Sequence, residues 1–203
     1  MELPSTVFVA LGAIVAAIIT GIISFINLVA AKDQKTSEFR QEWIDELRSD
    51  ISNYLANVNI ISCEAHLSYQ LQDGKGITEE HLKEFAEKVS SQMNKAIQLF
   101  HSIQLKLNVK DDKQLLSTFE EMNKLFDTAL NDMHDTKKIE VITNSIIEQS
   151  QVLLKSEWKR VKRGEVSFFI TKYLVGLIVL CSFVVLGAYV NDYFDILITF
   201  KNA

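Results

Sequence analysis

Between Glu2 and Lys32 the chain carries no charged residue: "LPSTVFVALGAIVAAIITGIISFINLVAA" is a single apolar run with a few Gly, Thr, Ser and Asn residues set into it. Such a run exceeds the roughly 20 residues that an α-helix needs to cross a hydrocarbon core of about 30 Å. In lipid the backbone must satisfy its own hydrogen bonds, so a single apolar run crosses as a helix. A cleaved signal peptide is the competing reading. The opening "MELPST" lacks the Lys or Arg of such a leader, and the run is longer than the roughly 7 to 15 residues of its apolar core.

A second uncharged block, "YLVGLIVLCSFVVLGAYVN", extends from Tyr173 to Asn191, with Lys172 at its edge. Lys32, Lys35 and Arg40 follow the first block, and Lys155, Lys159, Arg160, Lys162 and Arg163 precede the second, while the outer ends carry Glu2, Asp192, Asp195 and a single distal Lys201. Cations mark the cytoplasmic side of membrane helices. The expected organisation is therefore an extracytoplasmic N-terminus and transmembrane helix in 1–31, a cytoplasmic domain in 32–166, a second transmembrane helix in 167–191 and an extracytoplasmic tail in 192–203. Cys63 falls in the cytoplasmic part and Cys181 in the second block, an implausible pair for a disulfide.

The middle of the chain reads as helix throughout. Proline is absent after Pro4, and glycine between the two blocks is confined to Gly74, Gly76 and Gly164. In "KDQKTSEFRQEWIDELRSDISNYLA" the residues Phe39, Trp43, Leu47, Ile51, Tyr54 and Leu55 recur at steps of three and four, the spacing of one buried helix face. This first helix continues through Val58, Ile61 and Ala65 to about Leu71. Thr78 caps a second, with Glu79 and Glu80 in its first turn and a stripe of Leu82, Phe85, Val89, Met93, Ile97, Phe100 and Ile103. Asp111 or Asp112 caps a third, carrying Leu116, Phe119, Met122, Phe126 and Met133. A fourth begins near Thr136 with Ile139, Ile142, Ile146, Leu153 and Leu154, and runs through Trp158 and Val161. Connections this short make successive helices antiparallel neighbours. The fold class is all-α: two transmembrane helices flanking a cytoplasmic antiparallel four-helix bundle, with Gly164 as a possible hinge and "KDQKTS" as a possible break.

No catalytic constellation assembles from these residues. A phosphate loop, a nucleophile elbow and a pair of histidines at i, i+4 are all missing. Cys63 and His66 supply two ligands at most, fewer than a zinc site needs, and are read as a buried thiol and a partly exposed histidine. Arg40, Arg48, Arg160 and Arg163 have no His at the spacing of a helical ribonuclease. The expectation is a protein without enzymatic activity, cofactor or metal.

Two features point to other chemistry. Gly12, Ala16, Thr20 and Ser24 form a row of small residues at intervals of four, joined by Asn27 on nearly the same side. Small rows allow transmembrane backbones to approach closely. The alternative is an uncharged polar pore lined by several copies, because intramembrane polar groups prefer partners or water to lipid. The cluster "KSEWKRVKR" contributes Lys155, Lys159, Arg160, Lys162 and Arg163. As a headgroup anchor it would fix topology; as an anion site repeated in an oligomer it would hold a nucleotide or oligonucleotide. Residues 32–163 contain 19 Lys and Arg against 22 Asp and Glu, so any such site is local.

The segment "SEFRQEWIDELRSDIS", directly after an N-terminal anchor, resembles a pattern in small two-span bacterial membrane effectors of anti-phage defence. It is similar to the Hailong-type channel effector more than to the accessory pore protein of type VI CRISPR systems, because the Arg and His pair is missing. The resemblance implies a homo-oligomeric inner-membrane channel, held shut until infection and gated through its cytoplasmic domain by a ligand. Its partners would be further copies of itself, membrane lipids, a nucleotide or oligonucleotide, or a soluble protein encoded nearby. The alternative function is a membrane-tethered helical scaffold or sensor that docks a soluble partner without transport.

Overall fold

The structure, a computed structural model, describes residues 5–70, 78–127, 129–163, 170–171, 173–184 and 187. All regular structure among them is helical: α1 (Ser5–Gln70), α2 (Glu79–Lys106), α3 (Lys113–Lys124), the single turn α4 (Ala129–Asp132) and α5 (Thr136–Arg163). The all-α expectation holds. The chain divides into two compact units, one of residues 1–38 with 161–203, the other of residues 39–160.

In the first unit, α1 is apolar and open. It is the one helix among the described residues long and apolar enough to cross a membrane, and none of its most apolar window is buried. The helix Tyr173–Val184 is apolar but shorter. The suggested break at "KDQKTS" does not occur. Thr36 Oγ1 donates to Lys32 O at 3.0 Å and Gln34 Nε2 to Glu38 Oε1 at 2.8 Å, so the polar side chains there bond along the helix and leave it intact. The proposed hinge at Gly164 and the "QDGKGI" connection fall largely outside the described residues.

The second unit is a helical bundle around one core. Leu47, Ile51, Tyr54, Val58, Ile61 and Ala65 of α1 pack with Phe85, Val89, Phe100 and Ile103 of α2, Phe119 and Met122 of α3, and Ile139, Ile142 and Ile146 of α5. At its centre the Tyr54 ring meets Phe119 edge-on at 5.3 Å and Phe100 at 6.5 Å. Edge-to-face contact is the favoured aromatic geometry.

Several stripe residues sit elsewhere than their spacing suggests. Phe39 is 69% exposed, because α2 ends beside Glu46 and Asp50, where Lys106 Nζ binds both carboxylates, two turns along from Phe39. Leu82 is exposed for the mirror reason: Lys88 reaches Glu64, so the first turn of α2 lies beyond Ala65, the last core residue of α1. Ile97 is on the solvent flank and Ala96 fills the core in its place; likewise Leu115 is buried where Leu116 is half-buried.

The third helix is not continuous to Met133. The backbone tightens at its end, with Leu125 N–H donating to Met122 O at 3.2 Å and Phe126 N–H to Asn123 O at 3.0 Å. This i to i−3 turn buries the adjacent side chains Leu125 and Phe126 together, which a straight helix with its 100° step does poorly.

Caps follow the sequence closely. Thr78 Oγ1 accepts from His81 N–H at 3.3 Å, and the His81 ring accepts in return from Thr78 N–H, a capping box with His in place of the usual Glu. Asp112 caps α3 by position but makes no side-chain cap bond; its carboxylate accepts from Asn108 N–H at 2.8 Å. Asp135 Oδ1 accepts from Lys137 N–H and Lys138 N–H, starting α5 at Thr136 as read.

Two polar ties hold α1 against the turn that leads into α5. Ser62 Oγ donates to Met133 O at 2.8 Å, and His66 Nδ1–H donates to His134 O at 3.0 Å, while the Tyr69 ring stacks on His134 at 3.9 Å. Six residues before α5 ends, Glu157 Oε2 lies 3.8 Å from Arg40 Nε. These two helices are therefore antiparallel.

Candidate functional site: the small-residue row of α1 and the cation cluster of α5

Gly12, Ala16, Thr20, Ser24 and Asn27 are all exposed on α1. A methyl group added at Gly12 or Gly21 would meet nothing within 4 Å. The row thus faces no helix among the described residues, and its close-packing surface is unused in a single copy. Thr20 Oγ1 donates back to Ala16 O at 2.8 Å and so satisfies itself within the helix. Ser24 and Asn27 have no side-chain hydrogen bond among the described residues. Around them Ile14, Ile18, Ile19, Ile23, Phe25 and Leu28 are exposed as well. A primary amide in such surroundings is costly in lipid and calls for a second helix or water.

The cation cluster is less open than its sequence suggests. Glu157, in the middle of "KSEWKRVKR", accepts from Arg160 Nη1 at 2.9 Å and also faces Arg40, with only 16% of its side chain exposed. Two of the local cations are thereby matched by one carboxylate. Lys155 and Lys159 are exposed, Lys162 is exposed and engaged in a further interaction, and the Arg163 side chain lies outside the described residues. Trp158 is 39% exposed. Lys155 and Lys159 make no ion pair among the described residues.

Sequence spacing alone did not identify the polar groups inside the bundle. Lys106 is held by Glu46 at 3.0 Å and Asp50 at 2.9 Å, and Ser102 Oγ donates to the same Asp50 oxygen. Burial works to lower the Lys106 pKa, but the hydrogen bonds to Asp50 and Glu46 outweigh it and hold the ammonium above its ordinary value. Burial alone pushes the Tyr54 phenol well above its usual range. Its hydroxyl has no hydrogen-bond partner among the described residues, nor has that of Ser150. Ser62 and Ser150 occupy stripe positions between larger apolar residues, which was the available signal.

Cys63 is exposed, not buried, with Sγ 3.9 Å from Asn59 Oδ1. Among the described residues no three His, Cys, Asp or Glu side chains gather as a metal site. His66 is turned to the His134 carbonyl and to Gln70, and His81 to the α2 cap. No protein-family model, curated protein or solved structure matches the chain.

Proposed function

We propose that the protein is a homo-oligomeric inner-membrane channel or pore-forming effector, gated by its cytoplasmic helical domain. The transmembrane helices lie in 1–31 and 167–191, and both termini are extracytoplasmic. The observation that carries this reading is α1 itself: one helix, Ser5–Gln70, is exposed and apolar at its start and supplies core residues of the bundle near its end. In this reading the helix that carries the apolar segment is also a helix of the bundle, and gating acts through α1. The exposed Ser24 and Asn27 support assembly, since two helices per chain cannot enclose a conduit and these groups need a neighbouring copy or pore water. The likeness of "SEFRQEWIDELRSDIS" to Hailong-type effectors supports a role in anti-phage defence.

Reconstituted protein should conduct ions or release dye from liposomes, and Thr20→Leu, Ser24→Leu, Asn27→Leu combined should abolish both leakage and cellular toxicity. Leakage undiminished by the triple change would refute a pore lined by this row. A second reading, a tethered scaffold that docks a soluble partner, is favoured by one observation: an open, largely apolar groove between α1 and α5.

A further inference from the structure

Within the bundle, α1 has a second face. Ser49, Asn53, Ala56, Ile60, Cys63 and Leu67 are all exposed, Ile60 at 50% and Leu67 at 53%. Their steps of four, three, four, three and four residues are the a and d spacing of a coiled-coil seam. At 3.6 residues per turn the six directions stay within about 40° of their mean. Leu47, Ile51, Tyr54, Val58, Ile61 and Ala65 point the opposite way, into the core. The bundle covers one face of the helix and leaves the heptad row open.

Charge along the row identifies what fits it. No charged residue interrupts it from Ser49 to Leu67, and the two carboxylates on its flank are matched inside the chain, Asp50 by Lys106 at 2.9 Å and Glu64 by Lys88 at 3.2 Å. The other flank offers Ser52 and Asn59. In a parallel pair of such helices Ser52 meets the partner's Asn57 and Asn59 meets the partner's Glu64, so hydroxyl faces amide, amide faces carboxylate, and no like charges oppose. Flanking charges are what direct a coiled-coil helix to a different partner, and here none is left over to do so. The helix complements a copy of itself. The exposed apolar residues of α5 form no such row, because Glu148 separates Val141 from Val152.

The order of residues along the row selects the direction of pairing. It is polar at Ser49 and Asn53 and apolar at Ile60 and Leu67. A parallel, in-register pair sets like against like. An antiparallel pair would set Asn53 against the apolar end and bury an amide without a partner, the costly outcome for a polar group at a seam. Asn53 Nδ2 donates along the helix to Ser49 Oγ at 3.3 Å, and its Oδ1 and second amide hydrogen suit a reciprocal bond to the partner's Asn53. A single Asn at an a position is the usual means of fixing register and number of strands.

We propose that two copies of the chain pair through this face of α1 as a parallel, in-register coiled coil, with Asn53, Ile60, Cys63 and Leu67 each opposite its own counterpart. The contact gives the oligomer proposed above a cytoplasmic interface, and rests on that oligomeric reading.

The test is cysteine crosslinking of the full chain in its native membrane, with copper phenanthroline as oxidant. In Cys181→Ser, the remaining Cys63 should form a covalent dimer. In Cys63→Ser, Cys181→Ser, each of Asn53→Cys, Ile60→Cys and Leu67→Cys should do the same, well above the exposed controls Glu121→Cys on α3 and Val141→Cys on α5. Ile60→Glu with Leu67→Glu opposes like charges across the seam and should lower the Cys63 dimer roughly threefold or more. Both side chains are exposed, so the melting temperature of the bundle should not change. Crosslinking at only one of the four seam positions would mean an antiparallel crossing and overturn the proposal. So would yields no higher than the controls, or a Cys63 dimer indifferent to the paired Glu changes. The mass of the complex in native lipid separates the two readings: several chains without seam crosslinks would refute the coiled coil alone, and a monomer would refute the oligomer as well.

Discussion

At the scale of single residues, Tyr54 is the clearest case of a side chain held for its ring rather than its hydroxyl. Its ring touches Phe100 and Phe119, while the hydroxyl is buried without a partner. Tyr54→Phe should therefore leave the urea midpoint unchanged or raise stability by up to about 1 kcal/mol. The difference should grow with alkalinity. Burial raises the folded pKa of Tyr54, so the unfolded chain loses that proton first as pH passes about 10, and the wild type loses stability as pH rises. Lys106 acts in the same window. Its folded pKa is also raised, so the stability from its ion pairs is complete below the unfolded value of about 10.4 and disappears as pH climbs through the folded one. Denaturation at pH 8 and pH 11 should show a larger alkaline loss in the wild type than in Tyr54→Phe, and equal losses would contradict the buried, un-ionised phenol. The ring's burial was legible from its i, i+3 and i+4 neighbours. The Lys106 pairings were not, because periodicity within one helix says nothing of which residue on another helix lies opposite.

Among the elements, α1 connects the two halves of the account. Glu38 and Phe39 fall on either side of the division between the two units, yet within one helix. Glu38→Pro removes a backbone hydrogen bond and clashes with the carbonyl of Gln34, at about 3 kcal/mol or more of helix stability. Membrane insertion and the bundle's melting should survive, but ligand-dependent conductance should be lost; Glu38→Ala should retain it. Gating unchanged by the proline would mean that α1 does not transmit the signal. On α5, Lys159→Gln, Arg160→Gln and Arg163→Gln together should weaken retention of a nucleotide or oligonucleotide in a salt-dependent manner while Lys155 and Lys162 preserve topology. Retention equal to the wild type would reduce the cluster to a headgroup anchor. Glu157 engages Arg160 and makes it less available than Lys159. The helices themselves were readable because Thr78, Asp135 and the absence of proline mark them. The break after Lys124 was not, since "NKLFD" contains no Gly or Pro and the turn is driven by burying Leu125 and Phe126 side by side.

For the molecule as a whole, a channel lined by α1 depends on self-association. The sequence named the row Gly12, Ala16, Thr20, Ser24 and Asn27, and each member is exposed with its polar groups either self-satisfied or without a partner among the described residues. What remains illegible in one chain is the surface that covers the row, because an interface between copies leaves no periodic mark that distinguishes it from a lipid-facing stripe. The most direct measurement is the mass of the complex extracted from native membranes in lipid nanodiscs, where one chain weighs 23.1 kDa. A channel lined by α1 requires an integral multiple of at least several chains, reduced to smaller species when Thr20, Ser24 and Asn27 are changed to Leu. A strictly monomeric protein in native lipid would contradict the channel and leave only the tethered scaffold.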